Sequence, residues 1–248
     1  KLQITFSKMK KLTHFESNNF HIDSANSILS MLTSSSNLNI SFAEQVTSEG
    51  LHILNNNLIK FLALRELSLF GLKGNNFTTP DNFLTLPMLR RLSLTCSNFE
   101  SSSIKKFLQK LPGLAGLEFL DLQSNKLDDS DAQEPGNSLP FLTKLKELEL
   151  YGNQISDKGV TYLMEKFSLL PKLEKLGLNA NNLTPDSCDN IIKAAQEATM
   201  ARKDGNRLRV DYASNFSILP SELPSLAGNS WILGNDNTIV QPAPNQNS

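Results

Sequence analysis

The sequence predicts an α/β fold, a right-handed solenoid with parallel strands on its concave face and helices on its convex face. Three observations predict it. Leucines recur at a fixed interval of 28 residues, each copy alternates apolar and polar positions as a strand does, and helix-like segments separate the copies. Three copies superimpose without a gap: Leu117–Leu127, Leu145–Ile155 and Leu173–Leu183. Each reads L-x-x-L-x-L-x-x-N-x-L, with its asparagine at Asn125, Asn153 or Asn181 (the third with Leu and the second with Ile at the last position). A fourth, Leu89–Phe99, keeps every apolar position and places Ser97 where the asparagine stands.

Weaker copies extend the array. Leu64-Arg-Glu-Leu67-Ser-Leu69 fits, but a Gly74-Asn75-Asn76 insertion delays its next apolar residue to Phe77. Asn37–Ile40 and Thr13–Phe15 are degenerate earlier strands, and Arg207–Val210 is expected as the last. The strand centres are Phe15, Leu38, Leu67, Leu92, Leu120, Leu148, Leu176 and Leu208, which makes seven or eight repeats. The chain accordingly divides into an N-terminal cap and degenerate first repeat (1–36), the repeats (37–215), and a C-terminal cap and loose tail (216–248). In that last part Pro220, Pro224, Pro242 and Pro244 interrupt the pattern. Leu219, Leu223, Leu226, Trp231 and Ile232 are expected to fold back over the last repeat, with 241–248 loose.

Alternation places Leu120 and Leu122 on one side of a strand and Asp121 on the other. One strand cannot bury its leucines alone, so strands stack into a parallel sheet. The asparagines sit where the chain leaves each strand, and their amides suit turn backbone groups that burial would otherwise leave unpaired. Return helices are expected over Ser48–Lys60 and Ser101–Lys110, after Ser156-Asp157 through Val160, Tyr162, Leu163 and Phe167, and after Thr184-Pro185-Asp186 through Ile191, Ile192, Ala195 and Ala198. Pro135-Gly136 is expected to break or shorten any helix in 128–142.

This pattern resembles the leucine-rich repeats of the ribonuclease-inhibitor-like class, over roughly residues 12–212. The resemblance implies a horseshoe that binds a partner protein on its concave face, without catalysis or cofactor, as a monomer. Short Asn/Ser-rich arrays of this class are also similar to those in effectors that intracellular bacterial pathogens deliver by type IV secretion. That likeness implies an intracellular protein acting on a host protein in the host cytoplasm. Ran GTPase-activating proteins share the repeat class, so the alternative is such an activator, with Arg65, Arg90 and Arg91 as its nearest cations. The acidic tail of those proteins is missing. A further alternative, a targeting domain of a longer enzyme, draws on a start at Lys1 and the loose tail.

Composition narrows the rest. With 24 Lys+Arg against 25 Asp+Glu, no basic excess recommends nucleic acid or an anionic membrane. No apolar run approaches the roughly 18 residues of a membrane span. Cys96 and Cys188 cannot build a disulfide scaffold and fit a reducing setting. Asn-x-Ser/Thr triplets at Asn39, Asn76, Asn182 and Asn215 match the number chance provides in so Asn- and Ser-rich a chain. No G-x-S-x-G, phosphate loop, H-E-x-x-H or C-x-x-C is found. His14, His21 and Asp23 lack a familiar metal spacing, and Asp128, Asp129, Asp131 and Glu134 lack the calcium-loop pattern, so a solvated loop is expected there.

Function is therefore sought on the strand positions that face away from the leucines. Along the middle run Ser68 and Phe70, Ser93 and Thr95, Asp121 and Gln123, Glu149 and Tyr151, Gly177 and Asn179, Arg209 and Asp211. A flanking column runs Glu66, Arg91, Phe119, Glu147, Lys175 and Arg207. The candidate partner-binding residues are Phe70, Arg91, Phe119, Asp121, Glu149, Tyr151 and Lys175, chosen for exposed aromatics and mixed charge. The other reading of the aromatics is packing against neighbouring stems on the same face.

Overall fold

A computed structural model describes residues 12–21, 26–42, 46–72, 86–99, 101–166, 169–184, 187–200, 208–211 and 215, and two short strands at 232–233 and 238–240. Eight strands follow one another in a single sheet: β1 (His14–Phe20), β2 (Asn37–Phe42), β3 (Glu66–Phe70), β4 (Arg91–Ser93), β5 (Phe119–Asp121), β6 (Glu147–Glu149), β7 (Lys175–Gly177) and β8 (Arg209–Asp211). Every neighbouring pair among them is parallel. Consecutive parallel strands need a crossover, and helices supply six of the seven: α1 (Asn26–Met31), α2 (Ser48–Leu58), α3 (Ser101–Lys110), α4 (Asp129–Ser138), α5 (Asp157–Met164) and α6 (Ser187–Met200), the connection from β3 to β4 lying mostly outside the described residues. The result is an open α/β solenoid with strands along the concave wall.

The register joins like to like. Leu67, Leu92, Leu120, Leu148, Leu176 and Val210 are successive partners across the sheet. Each is fully buried in one continuous core that also takes Leu94, Leu122, Leu150 and Leu178. At roughly 1.5–3 kcal/mol per buried leucine, this spine dominates the stabilisation.

The last strand departs from expectation. Leu176 pairs with Val210 rather than Leu208, so the final step is 34 residues and the strand is Arg209–Asp211. Leu208 is buried too. Two apolar residues of equal parity both satisfy alternation, and spacing alone cannot choose between them. Beyond β8 the sheet continues with a hairpin, β9 (Ile232–Leu233) and β10 (Thr238–Val240), which runs antiparallel and covers the edge. The expected packing of Leu219, Leu223, Leu226 and Trp231, the insertion at 74–77, and the loose end at 241–248 lie outside the described residues. So do Phe167, Pro185, Asp186, Arg207 and Asp23, and the side chains of Cys188, Ala195 and Ala198.

A second correction concerns Pro135-Gly136. The helix α4 runs through both residues and passes into a 3-10 turn at Leu139–Phe141. Packing offsets the proline's cost, because Ala132 and Leu139 are buried in the spine. Capping helps as well, through the acidic residues expected in a solvated loop. Asp128 Oδ1 accepts from Ser130 N at 2.8 Å and Asp131 N at 3.0 Å, and Asp131 Oδ2 accepts from Asp128 N at 3.3 Å. Asp129 reaches the next repeat, accepting from Ser156 N and Ser156 Oγ, each at 2.7 Å. Asp157 repeats the device on Thr184 N at 2.8 Å. Helix starts are thus stitched together from one repeat to the next.

The turns leaving the strands carry another ladder. Asn153 Oδ1 accepts from Asn125 N and Leu127 N, both at 3.0 Å, while its Nδ2 donates to Leu122 O at 3.1 Å and Leu150 O at 2.9 Å. Asn125 accepts from Ser97 N at 2.9 Å, and Asn181 from Ile155 N at 3.1 Å. Asn215 forms a further rung, accepting from Asn181 N at 2.7 Å. Each rung stands five residues after its strand centre, Asn181 after Leu176 and Asn215 after Val210.

Candidate functional site

Strand geometry turns the core outward-in and leaves three columns of side chains on the opposite face. The first holds Glu66, Arg91, Phe119, Glu147, Lys175 and Arg209, and the second Ser68, Ser93, Asp121, Glu149, Gly177 and Asp211. Arg209 therefore takes the place expected for Arg207, and Asp211 falls in the Glu149 column. A third column, Phe70, Thr95, Gln123, Tyr151 and Asn179, follows from backbone bonds such as Ser124 N to Tyr151 O at 2.9 Å and Gly152 N to Asn179 O at 2.9 Å.

The middle column is less solvated than an open sheet face would suggest. Asp121 and Glu149 are each only 8% exposed. Strands about 4.8 Å apart let the flanking columns shield the carboxylates between them. Asp121 Oδ2 accepts from Ser93 Oγ and its Oδ1 from Gln123 N, both at 3.0 Å. Burial pushes the Asp121 carboxyl above its ordinary range, and those two hydrogen bonds only partly oppose it. No ion pair reaches Asp121 among the described residues.

Glu149 is treated differently. Its carboxylate lies over Gly177, where a Cβ would collide with Oε2. The glycine thereby makes room for Glu149 to lean onto the next strand, and Oε1 meets Lys175 Nζ at 2.5 Å. Burial still raises the Glu149 carboxyl, although Lys175 pulls it down. Burial opposes the charge on Lys175, yet its hydrogen bond to Glu149 and the nearby Asp211 hold it above the ordinary lysine value. Lys175 lies 3.7 Å from Asp211 Oδ2, and Arg209 Nε lies 2.7 Å from Asp211 Oδ1. A chain of alternating charge thus crosses β6, β7 and β8.

The aromatics divide into two kinds. Phe70 and Tyr151 are 44% and 43% exposed. Phe119 is half-buried, with the Arg91 guanidinium 3.9 Å above its ring centroid. The fold brings Asp121, Glu149, Tyr151 and Lys175 together on adjoining strands. Phe70 stands three strands away, with the Arg91–Phe119 stack between.

Two features escaped the sequence reading. Asn179 Oδ1 is buried without a hydrogen-bond partner among the described residues, next to Tyr151. Its only sequence signal is its place in the Tyr151 column. Gly177 was readable as a glycine inside a strand, which marks a close approach.

The remaining candidates scatter. Arg90 donates to Gly116 O at 3.3 Å and lies 3.8 Å from Glu118, Arg91 covers Phe119, and Arg65 is exposed beside Arg90 in the neighbouring repeat. His14 Nδ1 is 2.9 Å from Thr13 Oγ1. Among the described residues no three His, Cys, Asp or Glu side chains are grouped to hold a metal ion. Cys96 is a half-buried free thiol. No helix among the described residues is long and apolar enough to cross a membrane.

Comparison with known proteins agrees with this architecture. A family model described as "Leucine Rich repeat" matches residues 141–164. No curated protein matches the sequence. A solved leucine-rich repeat protein of Leptospira interrogans is similar over 79% of this chain and 41% of its own, at 23% identity and a TM-score of 0.50. One from Bacteroides eggerthii is similar over 64% of this chain and 27% of its own, at 15% identity and a TM-score of 0.41. The chain thus spans about two fifths of the Leptospira protein, and the likeness is one of fold.

Proposed function

We propose that this leucine-rich-repeat solenoid is a non-enzymatic protein-binding module whose concave face engages a partner around Tyr151, Asp121, Glu149 and Lys175. The observation that carries the reading is a rigid wall on which an exposed aromatic ring adjoins buried, unequally paired charges. Tyr151 offers a large contact area at low ordering cost, and the fixed charges reward a partner that complements them. Because the columns are held by the spine behind them, little freedom is lost on association. Phe70 extends the surface to β3. Action on a host protein, as an effector delivered by a bacterium, rests on the family resemblance and completes the proposal.

The test is affinity capture with mass spectrometry, comparing the parent chain with Tyr151→Ala. The substitution removes an exposed side chain, so stability should change by no more than about 0.5 kcal/mol. A partner retained by the parent and lost from the variant supports the concave site. Equal capture by both moves the site elsewhere.

A further inference from the structure

Seven large apolar side chains are exposed among the described residues, and their placement is not random. Two, Phe70 and Tyr151, stand on the concave face. The other five, Ile59, Leu62, Met88, Phe141 and Leu169, all lie in the segments that lead into a strand. These segments form one rim of the solenoid. Their exposure runs from 40% to 65%, although the neighbouring Phe61, Leu86, Leu142 and Leu170 are buried in the spine. Nothing in the repeat requires an apolar residue at the exposed positions.

The same rim is basic. Lys60, Arg65, Lys144 and Lys172 are exposed there and make no ion pair among the described residues. The rim's Glu118 is engaged by Lys146 at 2.9 Å and Arg90 at 3.8 Å, which leaves that triad with a net positive charge, and the exposed Glu174 in the same row offsets only one of the remaining cations. Hydrogen bonding to Lys146 holds the Glu118 carboxyl below its ordinary range, so it stays charged within the triad. The opposite rim carries Asp128, Asp129 and Asp157 at the helix starts, with Lys126 and Lys158 among them. Cations near helix C-termini also complement the helix dipole, which accounts for some of the segregation. It does not account for the five apolar side chains between them.

We propose that this rim is a docking edge for an anionic lipid bilayer, with the apolar side chains entering the interface and the lysines and Arg65 meeting acidic headgroups. Charge complementarity selects the occupant. The spacing favours a fluid surface over a protein groove: the anchors stand on separate loops along about 20 Å of sheet width, and the middle loop exposes only the small residues Gly113 and Ala115. Lipid fills such gaps, whereas a folded partner would have to match them. Shallow apolar contact combined with basic residues is the general chemistry of interfacial membrane binding. Docked this way, the concave wall remains open to its partner.

Flotation of the 248-residue chain with vesicles tests this. The parent should bind vesicles rich in phosphatidylserine, fail to bind pure phosphatidylcholine, and release as salt rises. Lys144→Glu with Lys172→Glu should weaken binding by roughly tenfold or more. Phe141→Ser with Leu169→Ser should weaken it as well, and Tyr151→Ala should leave it unchanged, which separates this edge from the concave site. Circular dichroism would show that these surface variants stay folded. Absence of parent binding to the anionic vesicles, or binding that ignores both pairs of substitutions, would overturn the proposal. So would a concentration-dependent dimer, or a captured acidic protein, sensitive to the same substitutions in a chain that does not bind vesicles.

Discussion

A carboxylate removed from water without an ion pair of its own is a cost that folding has to carry, and Asp121 is in that position, with Arg91 and Lys175 only partly offsetting its burial. Its carboxyl and that of Glu149 are both raised by burial. The folded state therefore holds protons that the unfolded chain has already released. Their contribution favours folding below the ordinary carboxylate range and is lost as pH climbs through the raised values. Glu118, lowered by its hydrogen bond to Lys146, and Asp128, lowered by its bond to Ser130, act with the opposite sign. The difference between variant and parent is thus the informative quantity. Asp121→Asn should be at least as stable as the parent near neutral pH and should lose less stability between about pH 4 and pH 7. Urea midpoints across that range measure it, and an unchanged pH slope would contradict the assignment. None of this burial was readable from the sequence. A strand pattern reports which side a residue faces, but not how far its neighbours enclose it.

The repeating turn shows what was legible in an element and what was not. Asn125, Asn153 and Asn181 stand out because 28 residues separate each from the next. Asn215 did not stand out, because the last strand was placed on Leu208 instead of Val210, and a slip of two residues preserves alternation while displacing the turn. Once Val210 is the centre, Asn215 falls on the same rung as the others. Its side chain also donates to Leu178 O at 2.9 Å. Truncation by Asn215→Ala should cost about 1–3 kcal/mol through the buried groups it leaves unpaired. Asn153→Ala orphans more groups at once and should cost more. Denaturant unfolding of the two variants decides the matter, and no loss for either would mean that these amides are replaceable by water. The stitching of helix starts by Asp129 and Asp157 was hidden for another reason. Acidic residues near a helix start look alike whether they meet solvent or the next repeat.

At the scale of the molecule, the leucine spine was the clearest part of the sequence, since it needs only identity and spacing. Placing an unpaired charge in it by Leu148→Asp should abolish cooperative folding, because Leu148 is fully buried between Leu120 and Leu176. A single sharp thermal transition in that variant would contradict the continuous core. Charge was the least legible quantity. A near-zero total, 24 cations against 25 anions, conceals a basic rim and acidic helix starts on the other side. The concave face was legible in its columns but not in its pairings, because Glu149 reaches Lys175 only by lying over Gly177. The most direct test of the concave site is hydrogen–deuterium exchange of the chain alone and with its captured partner. Protection should concentrate in 119–123, 147–151 and 175–179. Protection confined to helices α3 and α5, with those strands unchanged, would contradict it.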